Sequence, residues 1–305
     1  MISAFPISPA TSLRLRAADL DPDEIEQLIV RALEEDLGDG VDVTSVATIP
    51  PQQRCVVTFG ARSPGVLAGV PVAAAVIDIV CGDHASDMEY LTDDGELIEP
   101  GQPVARVTAP TALMLTAERT ALNLLCHLSG VATLTRRWVV ALDGTVAQVR
   151  DTRKTLPGMR SLQKYAVRCG GGVNHRMGLH DKALVKDNHV ASAGGVGAAY
   201  AAVRGLEGTI PVEIEVDGLE GLRVAIDAGA DEVLIDNFSL SDMRAAVALR
   251  DDIGPDVRLE ASGGLTLATA ADVAATGVDF IAVGELTHSA PVLDLGLDFE
   301  TVLSE

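Results

Sequence analysis

The stretch VEIEVDGLEGLRVAIDAGADEVLID, residues 212–236, decides the fold class of this chain. Its two ends, 212–216 and 232–235, are short aliphatic runs that predict buried strands. The apolar, Ala-containing segment 219–228 between them predicts a helix. A strand, a helix and a second strand in succession predict a βα repeat of a parallel sheet.

The same alternation continues on both sides of this stretch, from residue 144 to residue 283. Further helices are predicted at 241–250 and 267–276. Six βα repeats in about 140 residues favour an α/β barrel over an open sheet. The other predicted strands are 146–150, 183–185, 257–261 and 280–283.

By pattern, the chain divides into four segments. Before residue 144, short strand-like runs and helices occur without a regular repeat, and Asp21 is expected to begin a helix with Pro22 in its first position. The predicted segments are a flexible tail at 1–20, an N-terminal α/β domain at 21–143, the barrel at 144–288, and a C-terminal segment at 289–305 that packs back on the N-terminal domain.

A long apolar stretch, 115–142, closes the predicted N-terminal domain. We expect two helices there, with a break at Gly130. Glu118 and Arg119 lie on otherwise apolar turns of this stretch, and a charge buried there requires a partner.

Composition excludes several kinds of partner. A net charge of −21 argues against nucleic acid and against an anionic membrane surface. No continuous apolar signal segment is found near the N-terminus, so a cytoplasmic protein is expected. The four cysteines lack CxxC spacing and are expected to be reduced thiols rather than metal ligands: Cys55, Cys81, Cys126 and Cys169.

A cationic segment stands out from this acidic background: RDTRKTLPGMRSLQKYAVRCGGGVNHRMGLHDKALVKDNH, residues 150–189. It holds nine basic and three acidic residues, together with His175, His180 and His189. The glycines 170–172 allow close approach of the backbone to a ligand. The segment predicts a binding site for a small, highly charged anion.

Polar residues or glycines follow the predicted strands at or next to their carboxyl ends. In α/β barrels this end carries the active site, and the last two loops are the usual place for a phosphate. The loops ASGGL (261–265) and VGELTHS (283–289) fit that place. The strand-end residues are Asp151 with Arg153 and Lys154, Lys186, Glu215, Asp236, Ser262 with Gly263 and Gly264, and Gly284.

Seven motifs together resemble the quinolinate phosphoribosyltransferases, also called nicotinate-nucleotide pyrophosphorylases. They are TAERTALN (116–123), DTRKTLPGMRSLQKYAVRCGGGVNHRMGL (151–179), VKDNH (185–189), VEIEVD (212–217), LIDNF (234–238), EASGGL (260–265) and VGELTHS (283–289). The resemblance implies an N-terminal α/β sandwich domain followed by an incomplete parallel α/β barrel, which agrees with six predicted strands. It also implies a homodimer or a higher oligomer.

The activity implied is transfer of phosphoribosyl from phosphoribosyl pyrophosphate (PRPP) to quinolinate with Mg²⁺, giving nicotinate mononucleotide, CO₂ and pyrophosphate. The residues implied for quinolinate are Arg153, His175, Arg176 and Lys186, with Arg119 entering from a neighbouring subunit. Those implied for PRPP and phosphate are Lys154, Glu215, Asp236, Ser262, Gly263, Gly264, Gly284 and His288. Glu215 and Asp236 would face the ribose hydroxyls and the Mg²⁺-bound pyrophosphate, and relatives often carry a small residue at the Glu285 position.

Three other functions are compatible with parts of this pattern. A paralogue of the same fold could use another substrate, as nicotinate phosphoribosyltransferase or a molybdenum-associated relative does, but a pocket for two carboxylates argues against both. A Schiff-base aldolase could use Lys186 at its strand end. A non-catalytic protein could bind phosphorylated ligands, and it would release no pyrophosphate.

Overall fold

The structure, a computed structural model, describes residues 5–85, 87–206 and 210–303. Its α-helices are α1 Pro9–Ala17, α2 Pro22–Leu37, α3 Val43–Thr48, α4 Val70–Cys81, α5 Thr111–Ala141, α6 Arg160–Cys169, α7 Asp187–Ala193, α8 Val196–Arg204, α9 Leu219–Asp227, α10 Leu240–Ile253, α11 Ala270–Ala274 and α12 Glu285–His288. Its strands are β1 Arg54–Ala61, β2 Gly65–Val66, β3 Glu89–Tyr90, β4 Leu97–Ile98, β5 Pro103–Pro110, β6 Gln148–Arg150, β7 Ala183–Val185, β8 Val212–Val216, β9 Glu232–Asp236, β10 Arg258–Ser262, β11 Phe280–Ala282 and β12 Leu295–Leu303.

The chain forms two compact units. The first contains the described residues up to Leu134, Leu156–Gly171 and the described residues from Ser289 onward. The second contains Thr135–Thr155 and Gly172–His288. Helix α5 is shared between the two units, and none of the helices in the described ranges is long and apolar enough to cross a membrane.

The first unit is built on an antiparallel sheet with strand order β12-β1-β5-β3. In β1 the side chains of Cys55, Val57 and Phe59 are fully buried, which follows from the two-residue period of a strand with one face toward the core. Helices α1 and α2 pack on α4, whose aliphatic residues are almost all buried. The C-terminal strand β12 pairs antiparallel with β1, from Arg54 opposite Leu303 to Ala61 opposite Leu295.

The predicted flexible tail, 1–20, is wrong over most of its described length. Helix α1 occupies nine of these residues, and the Ser8 hydroxyl caps it by accepting the Thr11 backbone N–H at 3.2 Å. Leu15 is fully buried and Leu20 is 2% exposed. Burial of these two leucines holds the segment on the first unit.

The predicted helix break at Gly130 is also wrong, because α5 runs without interruption from Thr111 to Ala141. A side chain at this position would place its Cβ 2.1 Å from the carbonyl oxygen of Pro291. The glycine is therefore required by the close approach of the C-terminal segment and not by the end of a helix.

Helix α6 lies within the segment 144–288 predicted for the barrel, but it groups with the first unit. The Tyr165 hydroxyl donates to Asp94 at 2.6 Å, and Gln163 contacts His127 at 2.9 Å. These contacts to other parts of the first unit explain the grouping.

The second unit is a six-stranded parallel sheet in the order β6-β11-β10-β9-β8-β7. All six predicted strands are confirmed, and β7 and β8 have the predicted bounds. The helices predicted at 219–228 and 241–250 are confirmed as α9 and α10, whereas α11 is shorter than predicted. The edge strands β6 and β7 do not pair with each other among the described residues, so the barrel is incomplete.

Candidate active site

The parallel register brings the carboxyl ends of the strands of the second unit to one end of the barrel. Ser262 pairs in register with Asp236, and Ala282 pairs with Arg150, the last residue of β6. Glu215 lies opposite Leu234, two residues before the end of β9. The predicted strand-end residues therefore share the end at which α/β barrels carry their active sites.

A cavity of about 290 Å³ lies at this end, and all its lining residues belong to the second unit. Eight residues predicted from the sequence line it: Arg153, Lys154, His175, Arg176, Lys186, Glu215, Asp236 and Ser262. The remaining lining residues, which sequence reasoning did not single out, are Thr152, Leu184, Leu234, Glu260 and Ala282. Gly263, Gly264 and Gly284 belong to the adjoining loops and His288 ends α12, and none of the four lines the cavity.

Arg119, the other predicted site residue, belongs to the first unit. It is exposed on α5, although Ala117 and Ala121 beside it are fully buried. Within one chain the charge at this position is therefore not buried. Within one chain, the guanidinium remains in contact with solvent and can meet an anion outside the chain.

Two guanidinium groups make one wall of the cavity cationic. Burial lowers the pKa of Arg176, and the positive charge of Arg153 lowers it further. Arg176 donates to the carbonyl oxygen of Lys182 at 2.9 Å. The Nε of Arg153 is buried without a hydrogen-bond partner among the described residues. Two neighbouring, incompletely paired guanidinium groups favour an anion with more than one carboxylate.

The carboxylates lie at the ends of the central strands. Glu215 forms an ion pair with Lys186, with Nζ and Oε2 at 2.6 Å. Asp236 accepts a hydrogen bond from the Asn237 side-chain amide at 2.6 Å. Because Lys186 pairs with a carboxylate, it lacks the surroundings that favour a neutral, nucleophilic amine, which argues against the Schiff-base aldolase.

His175 is held in a fixed orientation. Its Nδ1 accepts the backbone N–H of Arg176 at 2.7 Å, so the ring proton lies on Nε2, 2.8 Å from Glu213 Oε2. The buried carboxylate of Asp151 accepts the His175 backbone N–H at 2.9 Å and the Asn174 side-chain amide at 2.5 Å. Both ring nitrogens are engaged, so the imidazole can position a ligand but is poorly placed to transfer a proton.

A network of buried charges lies inside the barrel, deeper than the strand ends. Glu213 and Glu260 are fully buried, and Glu232 is 4% exposed. Arg150 NH1 contacts Glu232 at 2.6 Å and Glu260 at 2.5 Å, whereas Lys182 Nζ contacts Glu213 at 2.9 Å and Glu232 at 2.6 Å. Three carboxylates thus share the buried Arg150 and the partly buried Lys182, and Arg258 also contacts Glu232 at 3.0 Å.

The two fully buried carboxylates of this network have opposite pKa shifts. Burial would raise the pKa of Glu213, but the contacts with His175 and Lys182 outweigh burial and lower it. Burial raises the pKa of Glu260, and the negative charge of Glu213 raises it further, against the opposing effect of Arg150. Glu260 therefore tends to keep its proton while Glu213 is ionised.

Two family models match this chain and decide its family. The C-terminal domain of quinolinate phosphoribosyl transferase matches residues 131–298, and its N-terminal domain matches residues 42–129. The chain belongs to the quinolinate phosphoribosyltransferase family. The two models together match residues of both units. This family is the one that the sequence motifs indicated.

Individual relatives of this family cover almost the whole chain. The carboxylating nicotinate-nucleotide pyrophosphorylase of Mycobacterium leprae is 51% identical over 281 residues, which are 92% of this chain and 99% of the relative. The nicotinate-nucleotide pyrophosphorylase structure from Francisella tularensis has a TM-score of 0.86 and 37% identity, covering 91% of this chain and 96% of that one. The corresponding structure from Ehrlichia chaffeensis has a TM-score of 0.84 and 34% identity, covering 90% and 98%.

At two glycines of the quinolinate phosphoribosyltransferase motifs, other residues approach so closely that a side chain would not fit. Gly263 has φ +97°, and a Cβ there would lie 2.2 Å from Asn237 Oδ1. A Cβ at Gly284 would lie 2.9 Å from Lys154 Cδ and 3.2 Å from His288 Nε2. Gly284 therefore leaves room for the Lys154 side chain beside the cavity.

The structure gives Glu285 a hydrogen-bond partner. It is the first residue of α12, and its Oε1 accepts the indole N–H of Trp138 at 3.1 Å. Trp138 is fully buried near the end of α5 and is the one tryptophan of the sequence. The carboxylate thus satisfies a buried donor that a small residue could not reach.

Glu285→Ala is expected to lower the free energy of unfolding by about 1–3 kcal/mol, since the buried indole N–H would lose its acceptor. Glu285→Gln is the matched control, because its amide oxygen can accept the same hydrogen bond. Urea unfolding monitored by tryptophan fluorescence measures both variants. Equal stability of the alanine and glutamine variants would contradict this role of Glu285.

Proposed function

We propose that this chain transfers the phosphoribosyl group of PRPP to the nitrogen of quinolinate and releases CO₂ and pyrophosphate, forming nicotinate mononucleotide for NAD biosynthesis. The observation that carries the proposal is that Arg153 and Arg176 line the same cavity as the strand-end carboxylates Glu215 and Asp236. Such a cavity offers cations to a dicarboxylate and carboxylates to a developing cation. Family membership supports the same reaction.

Quinolinate would bind to the cationic part of the cavity. Its two adjacent carboxylates are planar, and guanidinium groups match planar carboxylates better than ammonium groups do. Arg153, Arg176 and Lys186 would bind these carboxylates, and the fixed ring of His175 would contact the pyridine. Arg119 of a second subunit would complete the pocket in a homodimer or a higher oligomer.

PRPP would bind beside quinolinate, near the ends of the last barrel strands, β10 and β11. Lys154 would lie between the two substrates, and Glu215 and Asp236 would face the ribose hydroxyls. Ser262, Gly263, Gly264 and Gly284 would hold phosphate, with His288 just beyond. The Thr287 hydroxyl donates to the carbonyl oxygen of Lys154 at 3.0 Å. This hydrogen bond joins the segment after β11 to the segment after β6 and so supports this arrangement.

We further propose that Mg²⁺ accompanies PRPP. Glu215 and Asp236 fit this ion, because carboxylate oxygens are the ligands that Mg²⁺ prefers and both residues line the cavity. The oxygen and nitrogen atoms of His175, Glu213 and Glu260 also lie within 4.8 Å of one another. That group does not fit the ion, since all three residues are buried and Glu260 tends to keep its proton. When bound, Mg²⁺ would neutralise charge on the departing pyrophosphate.

The residues of the chain suit the two chemical steps. As the bond between the ribose and pyrophosphate breaks, positive charge grows on the ribose, and the carboxylates of Glu215 and Asp236 stabilise it. The ring nitrogen then bonds to the ribose and becomes cationic. The bond to the C2 carboxylate can break next, because the adjacent positive charge stabilises the electron pair left on C2. No electron-accepting cofactor is needed for this decarboxylation.

The test is incubation of the purified protein with quinolinate, PRPP and Mg²⁺, with nicotinate mononucleotide, CO₂ and pyrophosphate measured together. The proposal requires the three products in equal amounts. Omission of quinolinate controls for hydrolysis of PRPP. Pyrophosphate without the mononucleotide, or no product at all, would overturn the proposal. In cells, we propose a cytoplasmic location.

Two substitutions should separate the roles of the cations and the acids. Arg176→Ala is expected to weaken quinolinate binding about 10–100-fold through loss of charge-assisted hydrogen bonds, with PRPP binding mostly kept. Asp236→Asn is expected to lower kcat about 10²–10³-fold and to weaken the response to Mg²⁺, with quinolinate binding largely intact. Calorimetric titration with each substrate checks both variants, and equal quinolinate defects in the two would contradict this division.

A further inference from the structure

Glu260 occupies a place in the cavity that the proposed binding residues do not explain. It lines the cavity, yet its side chain is fully buried. It lies two residues before Ser262, the end of β10, and therefore about 6.6 Å deeper along the strand. Its carboxyl group thus forms part of the inner end of the cavity.

The two oxygens of Glu260 are used unequally. Oε2 accepts from Arg150 NH1 at 2.5 Å. Oε1 is buried and has no hydrogen-bond partner among the residues that the structure describes, and its neighbour His175 Nε2 lies 3.6 Å away. A buried polar atom without a partner is costly unless a ligand or a reaction uses it.

Charged groups surround Glu260 on three of the neighbouring strands and on the segment before β7. Arg150 on β6 is the cation in direct contact, and His175 precedes β7. Glu213 on β8 and Glu232 on β9 add negative charge, which Lys182 partly offsets. Phe280 of β11 lies opposite Glu260 in register and is uncharged. Burial and the two acids raise the pKa of Glu260, so it carries a proton at neutral pH.

The proposed substrate makes that proton useful. Quinolinate as a dianion has no hydrogen-bond donor, so an ionised carboxylate at the inner end of the cavity would only repel it. After CO₂ leaves, the electron pair on C2 needs a proton before nicotinate mononucleotide is formed. The engaged ring nitrogens make His175 a poor source, and Lys186 is paired with Glu215.

We propose that Glu260 is the acid that protonates C2 of the pyridine ring after decarboxylation, a role that rests on the proposed function. The bond from C2 to the carboxylate breaks, CO₂ departs, and the electron pair stays on C2. That pair takes the proton from the Glu260 carboxyl group, whose new negative charge is stabilised by Arg150. Water returns a proton to Glu260 after the product has left.

The test uses Glu260→Gln, which is uncharged like the protonated acid and keeps an oxygen for Arg150, so the fold is expected to persist. Loss of a general acid is expected to lower kcat about 10²–10⁴-fold while quinolinate binding changes little. In a single turnover, pyrophosphate should still be released in one rapid burst. Net CO₂ release should be slow, because CO₂ bonds again to the C2 electron pair when no acid protonates it. The glycosylated dicarboxylate should then accumulate.

The pH dependence gives a readout that a merely structural role would not change. Activity of the unaltered enzyme should fall as the pH rises through the raised pKa of Glu260, because the acid loses its proton. The glutamine variant should lack this alkaline decline. Glu232→Gln is the matched control, because it removes a carboxylate from the same network, away from the cavity lining. It should keep the decline, displaced toward lower pH, since the charge of Glu232 helps to raise the pKa of Glu260.

Three outcomes would overturn the assignment: an unchanged CO₂ rate in Glu260→Gln, equal slowing of pyrophosphate and CO₂ release, or an alkaline decline that persists in that variant. Failure of the proposed function would look different. In that case the unaltered protein itself would form no nicotinate mononucleotide from quinolinate and PRPP.

Discussion

Nicotinate is expected to be a very poor substrate, with kcat/KM about 10⁴-fold or more below that of quinolinate. Nicotinate lacks the C2 carboxylate, so the cations placed for it would stay unpaired. Arg153 already has a buried Nε without a partner among the described residues, and the pKa of Arg176 is lowered by burial and by Arg153. A site with buried polar groups rejects an analogue that cannot pair them far more strongly than an apolar site rejects a missing methyl group.

Parallel assays of quinolinate and nicotinate, each with PRPP and Mg²⁺, measure this ratio. Arg153→Leu is the useful comparison, because it removes one of the unpaired groups. This variant should lose much more activity toward quinolinate than toward nicotinate. The ratio of the kcat/KM for quinolinate to that for nicotinate should therefore shrink. Similar kcat/KM values for the two acids in the unaltered protein would contradict the decarboxylating reaction.

The strands of the second unit could be predicted because each one is a short aliphatic run with a clear end. Strand β7 has the predicted bounds since Asp181 and Lys182 precede it and Lys186 follows it. The site residues at the strand ends could be predicted for the same reason: parallel strands all present their carboxyl ends at one end of the barrel. Eight of the predicted residues consequently line one cavity.

The buried charge network could not be predicted in this way. The predicted strands are short aliphatic runs, yet the buried side chains of Glu213, Glu232 and Glu260 lie inside the barrel that these strands form. A signal was present, because glutamates two residues apart in VEIEV lie on the same face of the strand. Their partners depend on strand register and on contacts as distant in sequence as Arg150 and Glu260, which local patterns do not contain.

Gly130 shows the same limit for helices. In a local pattern, a glycine inside a long apolar stretch indicates a break. The reason for this glycine lies 161 residues further along the chain, at Pro291. Only the tertiary contact distinguishes a glycine that ends a helix from one that admits another segment.

Arg119→Ala and Lys154→Ala are each expected to be almost inactive as homodimers, yet active when combined. Arg119 is exposed on α5, so within one chain no buried ion pair accounts for it. Under the proposed function, each subunit lends this arginine to the site of its partner, as an isologous two-fold interface allows. A mixed dimer would then have one site with both Arg119 and Lys154. With random pairing, about a quarter of the unaltered activity should return.

A reciprocal experiment excludes an action of Arg119 within its own chain. Mixed dimers are purified through two different tags, one pairing Arg119→Ala with Lys154→Ala, the other pairing the double variant with the unaltered chain. If the arginine acts across the interface, the first dimer has one complete site and the second has none. If it acts within its own chain, the second has one complete site and the first has none. Since the two dimers contain the same set of residues, only the direction in which Arg119 reaches can explain which of them is active.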